Sequence, residues 1–229
     1  MGFTPTGEEA RPPAGYLDRV TTIDSKFADF EGLRIEYDDR VLAPRPWTAA
    51  QSRWAAELIR SAPPGPVLEL CAGAGHIGLL AVTLAPRPLV CVDADAAACS
   101  YLRRNAALAG VPVDAREGRM DEALSPDEEF AVIIADPPWV PTADVHRFPA
   151  DPVTAIDGGT DGLDLAHACL EVIDAHLVMA GSAVLQVGPR QADRFAELVR
   201  AYDELEVVDV REFESGTLVR VDRVVASVA

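Results

Sequence analysis

The chain has 229 residues, 49% of them hydrophobic, enough for one well-filled α/β core with an N-terminal extension. Its 20 Lys and Arg stand against 37 Asp and Glu. The formal net charge of −17 disfavours nonspecific binding to a phosphate backbone and makes a nucleic-acid partner the less favoured expectation. Cys71, Cys91, Cys99 and Cys169 show neither CxxC nor Cys/His ligand spacing, so they read as buried hydrophobes in a reducing compartment, and no metal site is expected.

The N-terminus has no basic n-region and no apolar h-region, and no apolar run reaches the length of a membrane span. A cytoplasmic protein without a membrane partner is expected. Residues 1–15 are rich in Pro, Gly and Glu and predict a loose segment. Partial alternation over 33–42 predicts a β-hairpin turning at Asp38-Asp39. Ala43-Pro44-Arg45-Pro46 is an extended breaker, and 47–60 has helical spacing, with Thr48 as a cap. Residues 1–60 thus form the extension and 61–229 the main domain.

A regular alternation follows. Strand 67–71 leads to helix 76–85, strand 89–93 to helix 95–109, and a weaker strand 111–116 to a short helical piece at 120–124. Strand 130–135 precedes a Pro/Gly-rich loop, 136–160. Helix 161–179, strand 182–187, helix 190–202 and two strand-like runs at 205–213 and 217–226 complete the chain. Strands alternating with long helices predict a mostly parallel sheet covered on both faces. The last two runs are too close in sequence for a crossover helix, so they must pair antiparallel.

Two corners carry chemistry. In Glu69-Leu70-Cys71-Ala72-Gly73-Ala74-Gly75, glycines turn a strand sharply into a helix and let a ligand approach the backbone. A tight βα connection alone needs such glycines. The acidic Glu69 in the strand, however, suits a cationic ligand and opposes a pyrophosphate. Asp93, ending the next strand, is placed to accept from ribose hydroxyls, beside Ala94. S-Adenosylmethionine, cationic and free of phosphate, fits this set. The second corner is Asp136-Pro137-Pro138-Trp139, at the carboxyl end of a central strand. Two prolines stiffen it, so Asp136 and the Pro137 carbonyl can hold the N–H bonds of an amino or amide group. The nitrogen lone pair is then aimed at a methyl group. Trp139 offers a flat wall. The bland alternative is a proline-stiffened loop with a structural Trp.

With these residues in view, residues 33–229 resemble the class I S-adenosylmethionine-dependent methyltransferases, and within them the HemK or release-factor glutamine methyltransferase group. Leu42 to Thr48 is similar to the family's L-x-P-R-P-x-T segment, Asp136 to Trp139 falls at its NPPY position, and Asp157 to Leu163 resembles its GGxDGL stretch. The resemblance implies a Rossmann-like, seven-stranded, mostly parallel sheet with an antiparallel C-terminal hairpin. It implies that Thr48, Glu69, Cys71, Ala72, Gly73, Gly75, Asp93, Ala94, Arg119, Met120 and Asp136 hold the cofactor, and that Asp136, Pro137 and Trp139 are catalytic. Three positions depart from the family: the asparagine and tyrosine of its NPPY are Asp136 and Trp139 here, and its glutamate after the fifth strand is Gln186. The expected activity is N-methylation of an amide, amine or guanidine on a protein side chain or small metabolite. Methylation of an RNA or DNA base amino group, and cofactor binding without catalysis, are the alternatives. The sequence sets no oligomeric state; a homodimer is compatible with it.

Overall fold

The computed structural model describes residues 25–224. The N-terminal stretch 1–15 lies outside them. A hairpin of β1 (Lys26–Phe30) and β2 (Leu33–Tyr37) comes first. It turns at Glu31-Gly32, where both residues have positive φ (53° and 88°), and not at Asp38-Asp39. Asp38 is instead a buried anchor. Its carboxylate accepts from the Tyr101 hydroxyl (2.8 Å) and from the Arg40 guanidinium, and despite burial these bonds hold its pKa at about 2. A hairpin tip must be solvated, and this carboxylate is not.

Helix α1 (Ala49–Ser61) follows a single 3-10 turn, Pro46–Thr48. The alternating part then runs β3 (Val67–Leu70), α2 (His76–Leu84), β4 (Leu89–Asp93), α3 (Ala96–Ala109), β5 (Val113–Glu117), β6 (Phe130–Ala135), α4 (Asp164–His176), β7 (Leu177–Val187), α5 (Ala192–Val199), β8 (Leu205–Phe213) and β9 (Gly216–Arg223). Local signals set several boundaries. Asp95 caps α3 by accepting from the Ala97 and Ala98 amides, and Gly110 ends it in the left-handed region. Residues 120–124 form turns, not helix. The segment expected to finish α4 belongs to β7, whose first residues bulge out of register with β6.

The seven-stranded sheet has the order β5-β4-β3-β6-β7-β9-β8. All neighbours are parallel except that β9 runs antiparallel between β7 and β8, which makes the late strands the expected antiparallel pair. Side chains alternate between two cores. Leu68, Leu70 and Ile133 pack under α4 and α5, and Val67, Val132 and Ile134 pack under α1, α2 and α3. The strand order reverses between β3 and β6, so a crevice opens beyond their carboxyl ends.

Two buried side chains tie the N-terminal elements to this crevice. Asn105 in α3 behaves as a strand edge. Its Oδ1 accepts from the Glu36 amide (2.7 Å), and its Nδ2 donates to the Glu36 and Ala74 carbonyls (3.0 and 2.9 Å). Gln51 in α1 donates Nε2–H to the carbonyls of Ala135 (2.8 Å) and Val184 (3.0 Å), bridging β6 and β7 just before Asp136.

Candidate active site

The crevice has two lobes, of about 610 and about 560 Å³, and Asp136 lines both. The first lobe lies over the β3–α2 turn. Cys71, Gly73 and Gly75 there all have positive φ (55°, 55° and 80°). Only glycine takes this conformation freely, so Cys71 carries local strain at the start of the turn. A Cβ on Gly73 would meet nothing within 4 Å, so the turn presents bare backbone to open space. Gly75 faces the other way, where a Cβ would collide with Leu102. The Asp93 carboxylate fixes the turn, accepting from the Gly73 amide (2.7 Å) and the Asp95 amide (2.9 Å). Burial raises its pKa, and these two bonds oppose the rise.

Cys71, Ala72, Gly73, Asp93, Ala94, Arg119, Met120 and Asp136 all line the first lobe. Glu69 and Gly75 do not. Glu69 is 2% exposed and sits behind the turn, accepting from the Gly78 amide (3.0 Å) and the Cys91 thiol (3.3 Å). Burial pushes its pKa up to about 7 against those bonds. Its carboxylate therefore clamps α2 onto β3 rather than facing a ligand directly. Thr48 lines the second lobe, and its hydroxyl donates to the Arg45 carbonyl (2.8 Å). His76 borders the first lobe; burial lowers its pKa to about 4, so the ring is neutral near pH ~7.

The first lobe is acidic. Asp93, Asp95, Asp136, Asp157 and Glu171 border it, and none of them forms an ion pair among the described residues. Its two arginines are committed elsewhere, Arg40 to Asp38 and Arg119 to Asp121 and Glu122. The Asp136 carboxylate accepts no hydrogen bond among the described residues, and burial alone pushes its pKa up to about 7. It is partly buried and lines the crevice.

The second lobe is walled by Pro137, Trp139, Trp47, Phe148 and Gln186. The loop after β6 forms its roof. An Arg45–Asp151 ion pair (2.5 Å) latches that roof to the segment before α1. The Asp-Pro-Pro-Trp corner is held from behind by backbone. A Cβ on Gly158 would lie 2.7 Å from the Pro138 carbonyl oxygen, and one on Gly162 (φ 81°) would strike the Trp139 carbonyl. Gln191 donates to that same carbonyl (3.1 Å).

The structure places the glycine turn and the proline corner around one crevice, and struts without a sequence motif hold them there. Gln51 and Gln191 carry no motif, and their roles follow only from which carbonyls the fold leaves unpaired. Phe148 in the roof, and Glu214 with Ser215 from the β8–β9 turn, reach the second lobe through tertiary structure alone.

This sheet order, with a glycine turn on one side of the reversal and an acidic proline corner on the other, defines a Rossmann-like methyltransferase fold. A methyltransferase from Pyrococcus furiosus has the same fold, with a TM-score of 0.61 at 16% identity over 85% of this chain and 90% of that one. A family model described as methyltransferase small domain matches residues 51–151. The chain is 34% identical to the release factor glutamine methyltransferase of Deinococcus radiodurans, over 75% of this chain and 63% of that protein. It is 30% identical to the ribosomal protein uL3 glutamine methyltransferase of Bordetella pertussis, over 90% of this chain and 68% of that protein. The chain belongs to this HemK-like family of class I methyltransferases. It spans less than two thirds of the Deinococcus relative's length.

Proposed function

We propose that the protein is an S-adenosylmethionine-dependent N-methyltransferase that acts on the side-chain amide of a glutamine in a partner protein. The observation that carries this reading is the unpaired Asp136 carboxylate, shared by an acidic lobe and an aromatic-walled one. The first lobe fits the donor on four counts: its size, the bare Gly73 backbone, Asp93 at the next strand tip, and a carboxylate lining with no unpaired Arg or Lys among the described residues to attract phosphate. When bound, S-adenosylmethionine supplies an electrophilic methyl carbon on a cationic sulfur.

The protein's own residues do the rest. Gly73, Asp93, Met120 and their neighbours hold the donor. Asp136 and the Pro137 carbonyl accept the two N–H bonds of the acceptor amide and turn its lone pair toward the first lobe. A carboxylate with a pKa of about 7 then stabilises positive charge growing on nitrogen and takes the proton that nitrogen releases. Trp139, Trp47 and Phe148 exclude water from the acceptor.

The named relatives, one acting on a release factor and the other on a ribosomal protein, support a protein acceptor, and the −17 charge disfavours RNA or DNA. Four free cysteines, and the lack of any helix among the described residues long and apolar enough to cross a membrane, agree with a cytoplasmic setting. Calorimetric titration with S-adenosylhomocysteine tests the first lobe. Tritiated methyl transfer from S-adenosylmethionine into fractionated lysate, with mass mapping of the product, tests the acceptor. Label confined to RNA or to small metabolites overturns the protein-glutamine reading.

A further inference from the structure

The second lobe carries one charge that the fold leaves unanswered. Glu214 and Ser215 form the two-residue turn between β8 and β9, where Phe213 pairs with Gly216. Gly216 lies against the Gln186 side chain (a Cβ there would be 3.5 Å from its Cγ and Cδ), which sets the turn beside the lobe. Glu214 is exposed, lines the lobe and makes no ion pair among the described residues. Both cations that line the lobe have carboxylates of their own, Arg45 with Asp151 and Arg147 with Asp144 (3.6 Å). Trp47 and Phe148, 42% and 39% exposed, border the same lobe. Large aromatic faces left open beside a lobe, with a charge at its rim, mark a surface that a polypeptide covers.

We propose that Glu214 reads a lysine or arginine two to four residues away from the acceptor glutamine, so that the segment entering the second lobe is a basic one. This rests on the reading of that lobe as the acceptor site. The sheet sets the spacing. Ala135 pairs with Leu185, and Val187 pairs with Thr217, so β6, β7 and β9 lie side by side at this end. Neighbouring strands are about 4.8 Å apart, which puts β9 about 10 Å from the end of β6 that carries Asp136. An extended chain rises about 3.3 Å per residue, so that span is about three residues of a bound segment. A cation there meets an unpaired carboxylate within the field of a chain of net charge −17. An acidic residue in the same place meets repulsion. The two carboxylates thus have separate tasks: Asp136 holds the reacting nitrogen, and Glu214 holds a neighbour of it at the rim.

The test uses the full chain and two peptides, each with one glutamine among serine and alanine residues. One peptide carries a lysine three places to either side of the glutamine, and the other carries a glutamate in both places. Methyl incorporation from S-adenosylmethionine gives kcat/KM for each, with S-adenosylhomocysteine affinity measured alongside. Wild type is expected to prefer the lysine peptide about 5-fold or more at low salt, and the preference should shrink in about 0.5 M salt. Glu214→Gln should cut the preference to about 2-fold or less, with donor affinity unchanged, and Glu214→Lys should reverse it toward the glutamate peptide. The reversal separates a charge reader from a residue that only shapes the turn, since a damaged turn loses both peptides alike. A preference that is the same in all three proteins, or a wild type that uses both peptides equally, overturns the role of Glu214 and leaves the glutamine reading standing. A wild-type protein that binds S-adenosylhomocysteine but methylates neither peptide overturns both.

Discussion

Replacing Asp136 with Asn keeps the shape of the corner and removes its titration. The carboxyl group's pKa rises from 3.8 to about 7 because burial penalises the ion and no donor compensates it. Three units at about 1.4 kcal/mol each give ~4 kcal/mol in a dry site. One side faces the crevice, so solvent screening leaves roughly half, ~2 kcal/mol. The sign follows from proton counting. Between about pH 4 and about pH 7 the folded protein holds a proton that the unfolded chain has lost, so wild-type stability falls as pH rises through that window. Asp136→Asn escapes the fall. Its stability relative to wild type should therefore climb by ~2 kcal/mol between about pH 4 and about pH 7 and stay level above. Glu69, whose own rise Asp136 reinforces, relaxes in the same direction. Urea unfolding of both proteins at about pH 5, 6, 7 and 8, with equal m values, measures the difference. Any constant offset belongs to the new amide and is irrelevant. A difference that does not change with pH, or one that grows against the variant at high pH, would refute the picture of an uncompensated carboxylate.

The same group sets an activity profile: kcat/KM should rise with pH to a plateau above about 7, and the inflection should vanish in Asp136→Asn, as a pH-rate series would show. Gly73→Ala forces a side chain into φ 55° at the open cradle and should weaken S-adenosylhomocysteine binding by roughly 10-fold in calorimetry, about 1–2 kcal/mol of strain. Gly78→Ala drives a methyl into the Glu69 carboxylate and should lower unfolding free energy by about 1–3 kcal/mol in urea. Arg45→Ala opens the latch to Asp151 and should raise the acceptor KM several-fold, about 1 kcal/mol, while donor affinity in calorimetry holds.

The alternation of apolar runs with helical spacing made the parallel sheet legible, because a strand buried on both faces must be apolar throughout, as Phe130 to Ala135 is. The glycine turn and the proline corner were legible because few residues can adopt their backbones. Positive φ at Gly73 and close backbone approach at Gly158 and Gly162 are recorded directly in residue type. The hairpin was misplaced because Asp38-Asp39 reads as a turn by composition, while its burial depends on Tyr101, 63 positions away. Glu69 was expected to face the ligand because strand position was legible and side-chain direction was not; its partner, the Gly78 amide, appears only once α2 is packed. Gln51 occupies an ordinary polar position in the sequence, and only the fold sets it under two strand carbonyls.

The segment between Val140 and Gly158 leaves and returns at almost one point. The Val140 amide donates to the Ile156 carbonyl (2.9 Å), and the Gly158 amide donates to the Val140 carbonyl (2.8 Å). Everything between, including Phe148 and Asp151, is anchored by that knot and by the Arg45–Asp151 latch. Lengthening or rewriting such a tethered excursion costs little closure entropy and leaves the proline elbow beneath it undisturbed. New acceptor preferences can therefore arise by exchanging this one patch of chain, while the machinery that moves the methyl group stays as it is.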